Sequence, residues 1–181
     1  MERRDLLYNL SGRSWDQTDL SISFVPDGTS WEQGPAFTYQ ALGQTASPDV
    51  WKETAARSFQ LWANVTPLNF RFVADDGAQF GAAGDHGDIR VAVGESWAGA
   101  AHAILPELGE MSGEITFGAN FDYDTRTTDG GFARLLVHEM GHSLGLLHEH
   151  HVPAAMRGLG YFGITADDIA GIQAIYGARQ H

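Results

Sequence analysis

The stretch His138-Glu139-Met140-Gly141-His142-Ser143-Leu144-Gly145-Leu146-Leu147-His148 constrains this chain more than any other part of its sequence. On an α-helix four residues advance about 400°, so His138 and His142 project from one face, one turn apart, and both imidazoles can meet one metal ion. Gly145 tolerates the left-handed conformation that ends a helix, which lets the chain turn back and bring in His148 as a third nitrogen ligand. Three such ligands suit Zn2+ and leave a fourth tetrahedral position to water, the arrangement of a catalytic rather than a structural site. Glu139 adjoins the first ligand and can approach that water without binding the metal, as a general base would.

Other classes of chemistry are excluded by composition. With no cysteine among them, these 181 residues hold no thiolate metal site, disulfide, thiol nucleophile or cysteine-based latency lock of their own. Lys and Arg number 11 against 23 Asp and Glu, a formal charge of −12, so nucleic acid is not an expected partner. No apolar run approaches the ~20 residues of a membrane span, and no signal peptide is visible after Met1. The expectation is a mature form, secreted or extracellular and monomeric, and a single catalytic domain over residues 1–181.

Periodicity supplies the frame. Leu20, Ile22 and Phe24 alternate with serines as in a half-buried strand. Leu68, Phe70 and Phe72 alternate likewise, as do Ile89, Val91 and Val93, with shorter apolar runs at Ala101–Leu105 and Ile115–Phe117. Ser47-Pro48 opens a first helix with Trp51, Ala55, Phe59 and Trp62 on one face. A second runs from Asp129 to Gly145 and carries the histidines, and Thr165 with Asp168 reads as a capping box before a third, closed by Gly177. Five strands and three helices make a mixed α+β domain.

A histidine string of this spacing followed by a downstream methionine is the metzincin signature, and Met156 resembles the Met-turn residue lying beneath the zinc. Within that group the chain resembles a matrixin, the catalytic domain of matrix metalloproteases. The likeness is carried by Tyr8-Asn9-Leu10 with Trp15, by the segment from Phe59 to Phe70, by Ala101-His102-Ala103, and by Asp167 to Gly177. It implies a zincin-like twisted five-stranded sheet with three helices, divided into an upper part (1–145) and a lower part (146–181). It also implies a cleft in which an extended substrate pairs antiparallel to the edge strand around Ala101. Arg134 stands where the family places the side chain that sets pocket depth, which implies a shallow pocket, and Tyr161 falls near the tyrosine that lines it.

Departures from the pattern matter as much. Matrixins carry a second, structural zinc, and His86, Asp88 and His102 resemble three of its ligands, but Thr116 stands at the fourth. A second register starts a strand at Gly87-Asp88-Ile89 and deletes the zinc-binding loop; the regular Ile89, Val91, Val93 alternation favours it, so this second zinc is not expected. For calcium, Asp122 and Asp124 offer hard oxygen ligands without a complete loop pattern. Glu149, which resembles the astacin pattern more than the matrixin one, is read with His150 and His151 as surface. The expected activity is zinc-dependent hydrolysis of internal peptide bonds in protein or peptide substrates. Two rivals stay open: a weakly catalytic module that binds extended peptides, and a narrow processing enzyme that cuts one partner or its own precursor.

Overall fold

A computed structural model describes residues 7–36, 48–96, 99–119, 131–157 and 163–180. Asp122, Asp124, Asp129, Leu159, Gly160 and Tyr161 lie outside them.

The alternating segments form one five-stranded sheet. Strands β2 (Asp19–Phe24), β5 (Asn69–Phe72), β6 (Ile89–Gly94), β7 (Ala101–Ala103) and β8 (Ile115–Gly118) are ordered β5-β2-β6-β8-β7. All neighbours are parallel except the edge strand β7, which runs antiparallel to β8 with His102 opposite Thr116. Two helices cover one face: α1 (Pro48–Ala63) and α2 (Gly131–Ser143). Ala55, Phe59 and Trp62 of α1 and Phe132, Leu136 and Met140 of α2 share one core with Leu20, Ile22, Ile89, Val91 and Ile115. Trp62 Nε1 donates to Val137 O at 3.2 Å and so pins the two helices together.

The sheet's other face is covered as well, so β2 is buried on both sides rather than half-buried. Ser21 Oγ donates to Asp88 Oδ2 and Ser23 Oγ to Asp75 Oδ2, each at 2.6 Å. These hydroxyls are satisfied by carboxylates of the segment between β5 and β6, which is how polar residues survive burial there. A short hairpin, β3 (Ser30–Trp31) with β4 (Gly34–Pro35), lies on this outer face and is anchored by Trp31, 1% exposed, packed on Phe80 and beneath the Arg90 guanidinium.

After α2 the chain turns at Gly145, φ +105°, where a Cβ would collide with the carbonyl oxygen of Arg13. Both the backbone conformation and the close approach therefore require glycine. Beyond the turn β9 (Leu146–Leu147) pairs with the amino-terminal β1 (Asn9–Leu10), and α3 (Ala166–Tyr176) closes the fold. Asp168 accepts from the N–H and the hydroxyl of Thr165 at the start of α3, and Gly177 at its end takes φ +81°.

Candidate active site

Helix α2 delivers His142 to the floor of an open cleft of about 710 Å3, the turn at Gly145 returns His148 to it, and His138, one turn before His142 on α2, stands against both. His138 Nε2 lies 3.1 Å from His148 Nε2 and 3.2 Å from His142 Nε2. Nitrogens on a tetrahedral ion with Zn–N of ~2.0–2.1 Å would be separated by ~3.3 Å, so the three rings already stand close to metal-binding geometry. Among the described residues this is the one group of three such side chains positioned to share an ion.

The far side of each helical ligand is fixed by backbone. His138 Nδ1 is 2.8 Å from Ala155 O, and His142 Nδ1 is 2.8 Å from Leu146 O. An Nδ1–H donated to a carbonyl leaves the Nε2 lone pair facing the centre, the tautomer a metal requires. Burial and the neighbouring rings disfavour protonation. Desolvation lowers the pKa of His138, desolvation and the charge of His138 bring His142 to about 3, and desolvation with His150 lowers His148. Three neutral imidazoles with converging lone pairs fit Zn2+ and would otherwise face one another unfavourably.

Glu139 points into the same cleft, 4% exposed, and burial alone raises its carboxyl pKa to about 8. Ala101, His102, Ala103 and Leu105 of the edge strand and its continuation line one wall, and Asn9, Leu10 and Leu147 another. Arg134 sits half-buried on α2, one turn before His138, and does not belong to the lining formed by the described residues.

Met156 lies directly beneath the histidine helix. A Cβ on Gly141 would collide with its sulfur, so the glycine between the two helical ligands exists to admit the methionine. What holds this turn is Asp168, which accepts from the N–H groups of Ala155 at 2.8 Å and Met156 at 3.1 Å. Asp168 thus supports Ala155, whose carbonyl orients His138. In the sequence Asp168 shows only as half of a capping box, the one local signal it carries.

Glu149 corrects the surface reading: it is 1% exposed and its carboxylate accepts from the N–H groups of His151 and Val152. These hydrogen bonds outweigh the desolvation that opposes them and keep its pKa below the usual carboxylate range. Glutamate is rarely buried without partners, and here the partners are backbone donors two and three residues on, which composition does not reveal. His150 and His151 are exposed as expected.

Comparison with known proteins agrees with this geometry. The profile of the matrixin peptidase family matches residues 30–177. Interstitial collagenase of Oryctolagus cuniculus is 36% identical over 172 residues, covering 87% of this chain and 35% of the collagenase. Matrilysin of Rattus norvegicus is 33% identical over 175 residues, covering 87% of this chain and 62% of matrilysin. Hatching enzyme of Paracentrotus lividus is 33% identical over 179 residues, covering 87% of this chain and 28% of the hatching enzyme. The chain spans about a third of the collagenases it matches and about three fifths of matrilysin. With its histidine cluster, its methionine turn and a match across most of its length, the chain belongs to the matrixin family.

Proposed function

We propose that the chain is a zinc-dependent endopeptidase acting on extended protein or peptide substrates, with Glu139 as general base. The observation that carries this reading is the convergence of three Nε2 atoms beside Glu139 on the floor of a cleft walled by an open sheet edge. A zinc ion held by His138, His142 and His148 would polarise the scissile carbonyl and acidify its water. Glu139 takes a proton from that water and passes it to the departing amine nitrogen. The main chain of β7 holds the substrate: residues 100, 102 and 104 bond inward to β8, so the N–H and C=O groups of Ala101 and Ala103 face the open edge. An added strand there takes many sequences, since its hydrogen bonds use backbone only.

Specificity falls to the pocket beside the metal. In this reading Arg134 limits its depth and Tyr161 forms its outer wall, favouring small or medium apolar residues after the cut. Arg134→Leu should shift cleavage toward larger residues at that position; an identical cleavage profile would remove Arg134 from the role. Residues 1–145 and 146–181 act as the two lips of one catalytic unit, monomeric and extracellular. No described helix is long and apolar enough to cross a membrane.

The deciding experiment maps, by mass spectrometry, the cuts made in a mixed unfolded protein substrate by the zinc-loaded chain and by Glu139→Ala. Cuts from the first alone establish the activity. Zinc bound to both and cuts from neither would replace it with peptide binding without hydrolysis.

A further inference from the structure

The family resemblance implies a second, structural zinc near the edge strand, and the residues present do not fit it. Both ring nitrogens of His86 lie against backbone carbonyls, Gly87 O at 3.0 Å and Ala82 O at 3.1 Å. The Asp88 carboxylate accepts from Gln17 at 3.0 Å and from the N–H and hydroxyl of Ser21 at 2.7 and 2.6 Å. His86 and Asp88 border a small depression near Trp15, whereas His102 borders the main cleft. The ligands such an ion would need are thus committed elsewhere.

Another group occupies the place beside His102. Glu32, at the turn of the β3–β4 hairpin, carries a side chain only 3% exposed. Its Oε1 lies 2.8 Å from His102 Nε2 and accepts from Thr116 Oγ1 at 2.6 Å. Thr116 Oγ1 in turn accepts from Trp31 Nε1 at 2.9 Å, and His102 Nδ1 is 3.0 Å from Ser96 Oγ. Glu32 holds φ +35°, a conformation that a residue with a Cβ rarely adopts and that persists only where the surroundings impose it. Here the imposing contacts are Trp31, clamped below Arg90 and against Phe80, and the two side chains that receive the carboxylate. His102 and Thr116 face each other across the last ladder of the sheet. One carboxylate therefore ties the edge strand to its neighbour in the sheet and to the hairpin on the outer face.

We propose that Glu32 is a positioning residue for substrate: by joining His102 on β7 to Thr116 on β8 it fixes, without a metal ion, the edge strand against which an extended peptide pairs. This rests on the endopeptidase reading above. Ala101 and Ala103, whose main-chain groups face the open edge, flank His102 on both sides, so any drift of His102 displaces the hydrogen-bonding groups offered to substrate. Misplacement of a substrate by about 1 Å is costly even when the reacting groups are intact. The loss belongs to substrate capture, because the histidines and Glu139 stand on α2 and the turn after it, not on the hairpin.

The test uses the zinc-loaded chain and an extended peptide substrate, with Glu32→Ala, Glu32→Gln, Thr116→Val and the exposed hairpin neighbour Gln33→Ala. Glu32→Ala should raise KM about tenfold with kcat changed by less than about threefold. Glu32→Gln, whose amide oxygen still accepts from Thr116, should recover most of that loss, and Gln33→Ala should match the parent. Amide hydrogen exchange at residues 102 and 104, which bond inward to β8, should quicken in Glu32→Ala and in Thr116→Val. Metal analysis should give one zinc per chain in the parent and in His102→Ala.

A native-like melt with unchanged KM and unchanged exchange in Glu32→Ala would overturn the proposal, as would two zinc ions per chain with one lost in His102→Ala. Should Glu32→Ala fail to fold, Thr116→Val decides by the same readouts. A parent chain that cuts nothing would count against the endopeptidase reading, while exchange and zinc content would still decide whether Glu32 clamps the strand.

Discussion

Single side chains carry two distinct electrostatic loads in this protein. Glu114 is 1% exposed and stands 3.5 Å from Arg90, but the bidentate partner of that arginine is Asp75, at 2.9 and 2.8 Å. Desolvation consequently prevails and lifts the Glu114 carboxyl to about 7 from 4.5, while Asp75, despite desolvation, is held low by Arg90 and Ser23. A raised acid binds more protons folded than unfolded, so its contribution is favourable at low pH and is lost as pH rises from about 4.5 to about 7. Glu114→Gln should remove that slope and melt higher than the parent at pH 8, by an amount on the order of 3 kcal/mol or less. Thermal melts of both proteins from pH 4 to 8 check this; parallel curves would refute it. Asp168 bears the other load, holding the methionine turn that orients His138. Asp168→Ala should weaken zinc binding by up to about 10-fold, measured by competition with a chromogenic chelator, the low end of what losing a ligand's own hydrogen-bond partner costs, because Asp168 reaches His138 only through Ala155. None of this is visible in composition, because Asp168 and Glu32 act on residues that only folding brings near.

Elements with a regular period are legible in the sequence: α1, α3 and strands β2, β5 and β6 occur where helical spacing or alternation places them, β7 and β8 where short apolar runs do, and α2 runs through the histidines. The two-residue pairs β1–β9 and β3–β4 are not, since two residues carry no period and their partners are set by contacts far along the chain or by a turn. The end of α1 shows the same limit. It has no basic residue in its last turn, and its final carbonyl is met instead by Arg179, whose Nε donates to Ala63 O at 2.7 Å and, just past the helix, to Thr66 O at 3.0 Å. The Gly145 turn, in contrast, is legible from one residue type. Gly145→Ala should cost about 2 kcal/mol or more, since it strains a positive φ and drives a methyl into backbone that cannot swing aside. The turn also places His148, so the same variant should lose zinc affinity, and a melt and zinc content equal to the parent's would contradict both effects.

At the scale of the whole molecule the candidate metal site adds a further link between two parts of the chain that already share one core: α2 contributes two ligands and the segment beyond the turn the third. Zinc that binds only the folded state stabilises by RT ln(1 + [Zn]/Kd), about 4 kcal/mol at a thousandfold excess over Kd. Chelation should therefore lower the melting temperature by several degrees and make it depend on free zinc, as calorimetry at buffered zinc levels would show. A further consequence follows from the edge strand. An open sheet edge is a template on which another copy of the chain can assemble, and proteins guard such edges by keeping them short or charged. Here β7 is three residues long, ends close to Pro106, and belongs to a molecule with a formal charge of −12. Its brevity would suit the flexible peptide of the proposed activity while denying a folded twin the continuous ladder that would start a fibril.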